Sequence, residues 1–213
     1  MKTAEVISRL AQLRVIPVIV LENAADAKPL AEALLAGGLP CAEVTFRTAA
    51  ALEAIRAIAQ IPGMLVGAGT VLKPEQAQAA ADAGAQFIVT PGFNPRVVSA
   101  CISHGIPITP GVSDPTSIEM ALEHGLDVVK FFPAEACGGL PYLKAISGPY
   151  SMMRFIPTGG IEPGNLCDYL AFPKVVACGG TWMVKADLLK NREWAKITTL
   201  AREAVALAAT ARK

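Results

Sequence analysis

Residues 87–111 read FIVTPGFNPRVVSACISHGIPITPG, and this stretch contains the unit from which the fold is predicted. The apolar run FIVTPG is followed by Asn94 and Pro95, a capping residue and a proline that suit the first turn of a helix. A helical stretch then ends at Gly105, and the apolar run IPITPG follows at once. The unit is therefore strand, helix, strand, which is typical of parallel α/β sheets.

The same unit recurs along the whole chain. Helix starts are also indicated by Pro74 and by Asp114 with Pro115, and helix ends by Gly84 and Gly125. Successive apolar runs start 19 to 26 residues apart, which accommodates a strand, a crossover helix and two short loops. The runs start at Val15 (VIPVIV), Cys41 (CAEVTF), Leu65 (LVGAGT), Phe87 (FIVTPG), Ile106 (IPITPG), Val128 (VVKFFP), Arg154 (RFIPTG) and Val175 (VVACGG).

Eight such units predict a closed (β/α)₈ TIM barrel, an α/β fold, formed as a single domain by residues 1–213. An open doubly wound sheet is the alternative, because the chain is near the short end for a barrel. Residues 1–14 are expected to form an N-terminal helix, and residues 197–210 a closing amphipathic helix. Active sites of this fold lie at the C-terminal ends of the strands, but the fold does not specify the reaction.

Composition excludes several classes of function. Hydrophobic residues make up 53% and charged residues 17%, which suits a sheet buried on both faces. No apolar run approaches the roughly 20 residues of a membrane helix, and residues 1–14 lack the apolar core of a signal peptide. A net charge of +1 argues against a nucleic-acid surface. The five cysteines are odd in number and have no CxxC spacing, so they are expected to be reduced thiols. The two histidines each precede a helix-ending glycine, which argues against a metal site. We therefore expect a cytoplasmic protein without metal, nucleic-acid or membrane partners.

Charged residues inside the apolar runs are the informative ones, because strands of a parallel barrel should be apolar. Lys130 lies in VVKFFP between a valine and a phenylalanine, and Glu43 lies in CAEVTF. Side chains alternate along a strand, so Glu43, Thr45 and Arg47 are expected to share one face. We expect that face to point into the upper barrel, where it can meet Lys130.

Lys130 is the candidate nucleophile. Its apolar neighbours would desolvate the side chain, which disfavours the ammonium form and leaves free amine to attack a ketone. A nearby Glu43 would have the opposite effect, and the sequence leaves the balance open. The alternative is a structural ion pair inside the barrel, although burying such a pair gains little stability.

Glycines cluster at the ends of the last two apolar runs, in PTGGIEPGN (residues 157–165) and CGGTW (residues 178–182). In barrels, the loops after the last two strands commonly bind phosphate through backbone N–H groups and a helix N-terminus. Tight turns are the alternative explanation, and residues 67–70 (GAGT) and 90–92 (TPG) are weaker signals that could be turns only. The residues predicted to bind phosphate are Gly159, Gly160, Gly179, Gly180 and Thr181.

The motifs EVTFR, GAGTV, TPGF, KFFPAE, PTGGI and GGTW, in this order and spacing, resemble the 2-keto-3-deoxy-6-phosphogluconate (KDPG) aldolases. Members of that family often also cleave 4-hydroxy-2-oxoglutarate, and the resemblance extends from about Val15 to the C-terminal helix. It implies a class I aldolase, a carbon–carbon lyase of the Entner–Doudoroff pathway of carbohydrate metabolism, that acts through a Schiff base. It also implies a homotrimer that needs no metal or other cofactor.

The resemblance also implies roles for single residues. Lys130 corresponds to the Schiff-base lysine and Glu43 to the proton-transfer residue, and the glycine-rich ends correspond to the phosphate site. Thr181 stands where serine is common, a change that keeps the hydroxyl. The substrate-binding residues implied are Arg47 and Thr70 at the carboxylate end, with Pro91, Phe132 and Thr158 lining the pocket.

Three other functions remain open from the sequence. The 2-keto-3-deoxy-6-phosphogalactonate (KDPGal) aldolases resemble the chain but tend to have Pro and Asn in place of Thr45 and Arg47, so KDPG is preferred. A sugar-phosphate epimerase or isomerase on the same barrel would not need a covalent lysine. A non-catalytic protein that binds phosphometabolites would not need Glu43, Arg47 and Lys130 to converge. The sequence does not decide between KDPG and 4-hydroxy-2-oxoglutarate.

Overall fold

Short parallel strands alternate with helices in the computed structural model, which describes residues 2–211. Met1, Arg212 and Lys213 lie outside the described residues. The strands are β1 (Val15–Ile19), β2 (Cys41–Thr45), β3 (Leu65–Gly69), β4 (Phe87–Val89), β5 (Ile108–Thr109), β6 (Gly111–Val112), β7 (Val128–Phe131), β8 (Arg154–Pro157) and β9 (Cys178–Gly180). The helices are α1 (Thr3–Leu13), α2 (Ala27–Ala36), α3 (Ala51–Ala59), α4 (Pro74–Asp82), α5 (Pro95–Ser103), α6 (Pro115–Glu123), α7 (Gly139–Ile146), α8 (Pro163–Ala171), α9 (Ala186–Lys190) and α10 (Trp194–Thr210), with short 3₁₀ helices at Ala24–Asp26 and Trp182–Val184.

The strands close into a ring in chain order. One sheet has the order β5-β4-β3-β2-β1-β9 and the other β6-β7-β8, and all pairings are parallel. β5 and β6 are consecutive pieces of one strand, which joins the sheets on one side. The bridges Phe155–Val175 and Thr158–Gly179 join β8 to β9 on the other side. This closure confirms the predicted (β/α)₈ barrel rather than the open sheet.

Two strands differ from the sequence prediction. The fifth strand is interrupted at Pro110, because proline has no N–H to donate to a neighbouring strand, although its carbonyl still accepts from the Lys130 N–H at 2.9 Å. The last strand begins at Cys178 and not at Val175, because the Val175 N–H bonds back to the Phe172 carbonyl in a turn. Both changes leave the eight-fold closure intact.

Helix ends in the opening stretch follow the predicted signals. Asn94 caps α5 by accepting a hydrogen bond from the backbone two residues on, at 3.0 Å. His104 ends the helix with its Nδ1 2.7 Å from the Ala100 carbonyl oxygen, and Gly105 takes the left-handed φ of 66° that turns the chain into the next strand. His124 ends α6 in the same way. The two histidines therefore finish helices, as predicted.

The interior of the barrel is apolar at its N-terminal end. The opposite face of the strands packs against the surrounding helices, and α10 packs along α2 and α8. Within residues 2–211, no helix combines the length and apolarity that a membrane span requires. The inward cluster consists mainly of Ile16, Cys41, Leu65, Phe87, Val128 and Ile156 from the strands, with Val6, Ile7 and Leu10 from α1. Helix α1 thus closes the bottom of the barrel, and the C-terminal ends of the strands form its mouth.

Leu10→Ala tests this closure. Leu10 is fully buried in the inward cluster, so truncation should leave a cavity and lower the free energy of unfolding by about 2–5 kcal/mol. Urea unfolding measures the difference. Leu35→Ala is the matched control, because Leu35 is 40% exposed and its loss should change stability far less. Equal unfolding free energies for Leu10→Ala and the unmodified protein would contradict the role given to α1.

Candidate active site

Lys130 and Glu43 meet inside the barrel. The Lys130 Nζ donates to the Glu43 Oε1 at 3.3 Å, and the two side chains are only 7% and 3% exposed. They come from β7 and β2, which are not neighbouring strands, so the contact crosses the barrel interior. This contact confirms the prediction that the face of β2 carrying Glu43 points into the barrel and meets Lys130.

Glycines in β3 make room for inward side chains, including Glu43 of this pair. A Cβ on Gly69 would lie 2.3 Å from the Glu43 Oε1, and a Cβ on Gly67 would lie 2.3 Å from the Phe87 ring. Both glycines lie inside β3, which confirms the predicted run LVGAGT up to Gly69 and rules out the alternative that residues 67–69 are only a turn. Close approach by inward side chains, and not a bend in the chain, requires glycine at these two positions.

A cavity of about 210 Å³ opens above the ion pair at the mouth of the barrel. All the residues predicted to bind phosphate line it, together with Lys130 and three of the predicted substrate-binding residues. The Lys130 Nζ lies 5.0 Å from the centre of the Phe132 ring, while Glu43 lies beneath the cavity in contact with the lysine. The walls are formed by Val18, Arg47, Lys130, Phe132, Thr158, Gly159, Gly160, Ile161, Glu162, Gly179, Gly180 and Thr181.

Pro91 and Thr70 lie outside this cavity. Pro91 lines an adjoining cavity of about 270 Å³ that shares Phe132 with the first. Thr70 follows β3 and lines neither cavity. Its φ of 55° is rare for a β-branched residue, and such conformations cluster at functional sites.

Arg47 reaches the cavity from its rim. β2 ends at Thr45, so the alternation that predicted a shared face does not extend to Arg47, which is exposed in the following turn. Thr45 turns its hydroxyl to the Ile19 carbonyl, which accepts at 2.8 Å. No carboxylate among residues 2–211 forms an ion pair with Arg47. Its guanidinium is therefore available to an anionic ligand, the type of partner that it binds best.

The two glycine pairs differ in structure. Gly159 and Gly160 have φ values of 99° and 80° and form the glycine loop, which we define as residues 158–160. Gly179 and Gly180 lie in β9, so their prediction as loop residues is wrong. A Cβ on Gly179 would lie 2.4 Å from the Thr158 Oγ1, so this glycine leaves room for the threonine in the cavity wall.

The cysteines nearest the site are neutral thiols. Burial, reinforced by the negative charge of Glu43, raises the pKa of Cys41 to about 12. Burial also raises the pKa of Cys178. The thiolate is the nucleophilic form of cysteine, so neither thiol is a nucleophile at neutral pH. Within the described part of the chain all five cysteines are free, and no three His, Cys, Asp or Glu side chains are grouped as metal ligands would be.

The family model described as KDPG and KHG aldolase matches residues 6–200. The chain belongs to this aldolase family. The 2-dehydro-3-deoxy-phosphogluconate aldolase of Treponema pallidum (strain Nichols) is 55% identical over 195 residues, which cover 91% of this chain and 93% of the relative.

Two solved structures of aldolases share the fold. The KDPG aldolase of Zymomonas mobilis ZM4, crystallised with 3-phosphoglycerate, is 44% identical to this chain. The two superimpose with a TM-score of 0.90 over 97% of this chain and 98% of the Zymomonas chain. The KDPG aldolase of Legionella pneumophila is 41% identical to this chain. Its TM-score is 0.90, and the match covers 96% of this chain and 98% of the Legionella chain. In that structure pyruvate is captured at low pH as a covalent carbinolamine intermediate.

Gly69→Ala should impair catalysis although it replaces no ionisable residue. The added methyl group would push against the Glu43 carboxylate and shift it from Lys130, and misplacement by about 1 Å can lower a rate by roughly 10²-fold. Steady-state kinetics of aldol cleavage measures kcat/KM. Gly164→Ala on α8 is the matched control, because a Cβ there would meet no atom within 4 Å. Equal kcat/KM values for the two variants would contradict the close-approach role of Gly69.

Proposed function

We propose that this chain cleaves KDPG to pyruvate and glyceraldehyde 3-phosphate through an imine on Lys130. We propose that it also cleaves 4-hydroxy-2-oxoglutarate to pyruvate and glyoxylate, because the two substrates share the pyruvate half. The observation that carries the proposal is a buried amine, held by Glu43, at the floor of a cavity whose wall includes the glycine loop. Since a buried ion pair gains little stability over apolar residues, a chemical role accounts for it better.

The reaction begins at the C2 ketone. The neutral amine of Lys130 attacks this carbon, and loss of water with uptake of one proton gives a protonated imine. When the C4 hydroxyl loses its proton, the C3–C4 bond breaks and its electrons pass to the imine, which becomes an enamine. Glyceraldehyde 3-phosphate leaves as the aldehyde. Protonation of the enamine at C3 and hydrolysis of the imine then release pyruvate and regenerate Lys130.

Glu43 is the proton-transfer group in this scheme. It accepts the C4 hydroxyl proton, through a water molecule, and returns a proton to C3 of the enamine. Its contact with the lysine nitrogen at 3.3 Å supports the role, because a base must lie within hydrogen-bond reach of the reacting groups or one water molecule away.

The remaining residues bind the ends of the substrate. Arg47 and Thr70 bind the carboxylate, and Pro91, Phe132 and Thr158 enclose the carbon chain. Binding of remote groups can position the reacting carbons and so contribute to the rate. The phosphate binds on Gly159, Gly160, Gly179, Gly180 and Thr181, which line the same cavity as Arg47.

The electron sink in this scheme is the imine itself, so we propose that the reaction uses no metal or other cofactor. We also propose a cytoplasmic homotrimer, as the family resemblance implies. Membership of an aldolase family favours this reaction over epimerisation or simple binding of phosphometabolites.

Lys130→Met should abolish imine formation and aldol cleavage while the barrel stays folded. The test treats the protein with pyruvate and borohydride, which reduces the imine to a stable amine. Intact mass and peptide mapping then locate the adduct, with samples lacking either reagent as blanks. One reduced pyruvate per chain on Lys130 is expected in the unmodified protein. Lys196→Met on α10 is the matched control, because Lys196 is exposed and should leave trapping unchanged.

The same experiment can refute the proposal. An unmodified protein that is folded but forms no adduct, or an adduct that maps to another lysine, would rule out Lys130 as the nucleophile. A persistent adduct in Lys130→Met would do the same.

Glu43→Gln should still form the imine but lower kcat by roughly 10²-fold or more, the scale of a general acid–base group. Borohydride trapping measures the first step, and steady-state cleavage of KDPG measures the whole cycle. Glu53→Gln on α3 serves as the control, because Glu53 is exposed and forms an ion pair with Arg56 away from the site. Full turnover by Glu43→Gln would show that this carboxylate does not transfer the proton.

A further inference from the structure

Glu135 links the lysine strand to the glycine loop. It follows β7, and its N–H donates to the Gly159 carbonyl at 3.0 Å. The preceding N–H, of Ala134, donates to the Thr158 carbonyl at 2.8 Å. The segment after β7 therefore lies along the glycine loop and is hydrogen-bonded to it.

The aliphatic stem of Glu135 also supports the loop from behind. A Cβ on Gly160 would lie 2.6 Å from both the Cβ and the Cγ of Glu135, so the stem contacts the Gly160 backbone directly. On another side, the Asn165 Nδ2 donates to the Gly160 carbonyl at 3.0 Å. Gly160 is thus held between a side chain from the lysine strand and one from α8.

The carboxylate of Glu135 is held by a buried tyrosine. The hydroxyl of Tyr169, a residue of α8 that is 1% exposed, donates to the Glu135 Oε1 at 2.5 Å. Gly139 leaves space for this contact, since a Cβ there would lie 3.1 Å from the same oxygen. Burial, together with the hydrogen bond to Glu135 and its negative charge, raises the pKa of Tyr169, so the phenol remains a donor at neutral pH.

The tyrosine also keeps the carboxylate away from the cavity. Glu135 and Tyr169 line a separate cleft between α7 and α8, whereas the walls of the Lys130 cavity do not include Glu135. A carboxylate turned towards a bound phosphate would repel it, because both are negatively charged. The contact with Tyr169 therefore lets Glu135 support the loop without exposing its charge to the ligand.

We propose that Glu135 and Tyr169 are positioning residues for the phosphate end of the substrate. The Tyr169 hydroxyl fixes Glu135, and the stem of Glu135 fixes Gly160 in the cavity wall. This inference rests on the proposed function, which assigns the phosphate to the glycine loop. Lys130 is hydrogen-bonded to Glu43 and Tyr169 to Glu135, so the two contacts use different glutamates, and we assign the Glu135–Tyr169 pair to phosphate binding and not to imine formation.

Tyr169→Phe tests the inference with two probes. It removes one hydroxyl and should weaken binding of 3-phosphoglycerate about tenfold, the scale of one lost hydrogen bond to a charged group. Calorimetric titration measures this affinity, and borohydride trapping of saturating pyruvate, which lacks phosphate, should be unchanged. Tyr150→Phe is the matched control, because the Tyr150 hydroxyl also donates to a glutamate, Glu119, at 3.0 Å, but outside the site.

A second variant separates positioning from loss of structure. Glu135→Ala should weaken 3-phosphoglycerate binding at least as much as Tyr169→Phe. The double variant should bind no more weakly than Glu135→Ala alone, because the hydroxyl acts only through the carboxylate. Additive losses in the double variant would contradict this coupling.

Other outcomes overturn the inference. One is an unchanged affinity of Tyr169→Phe for 3-phosphoglycerate. Another is an equal loss of 3-phosphoglycerate binding and pyruvate trapping in that variant, which would indicate general damage to the fold. An unmodified protein that traps pyruvate but does not bind 3-phosphoglycerate also overturns it, while the lysine chemistry stands. Failure of the proposed function has a different signature, the absence of a pyruvate adduct in the unmodified protein, and the titrations still decide the role of the pair.

Discussion

The interior of a small parallel barrel holds few side chains, and two of them here are a lysine and a glutamate in contact. Two charges taken out of water are costly unless they are close together, so neither can move far from the other. The pair also needs space, which Gly69 provides beside the Glu43 carboxylate, while Gly67 on the same strand leaves room for the Phe87 ring. Below them the barrel is filled by apolar residues and closed by α1, so ligands can reach the amine only from the mouth.

Much of the fold could be predicted from the sequence because the signals for it are local. The unit in residues 87–111 shows its capping asparagine, its helix-ending glycine and its two apolar runs in the letters themselves. Repetition of that unit then predicts a parallel barrel, because each crossover needs a helix of similar length. Alternation likewise groups Glu43 with Thr45 on one face of its strand, and the cost of burying a charge against the helical layer then predicts that this face points into the barrel.

The rest depends on contacts between distant parts of the chain. The glycines of GAGT and CGGTW look like turn residues in the sequence, and only the side chains opposite Gly69 and Gly179 reveal why glycine stands there. The path of Arg47 could not be derived from alternation either, because β2 ends two residues earlier and the loop carries the side chain to the rim. The Tyr169 contact joins residues 34 apart that no periodicity connects.

The connection between Lys130 and the glycine loop affects which substrates the site can accept. Strand β7 carries Lys130, and the segment that follows it is hydrogen-bonded to the glycine loop through Ala134 and Glu135. The lysine is fixed by the strand and by Glu43, whereas Gly160 is fixed by side chains that lie behind the cavity wall. If the glycine loop binds the phosphate, as we propose, contacts at that end can weaken without moving the amine. An aldolase built in this way can use the phosphate to position a long substrate and still react with a short one that lacks it, because the covalent step needs only the pyruvate half.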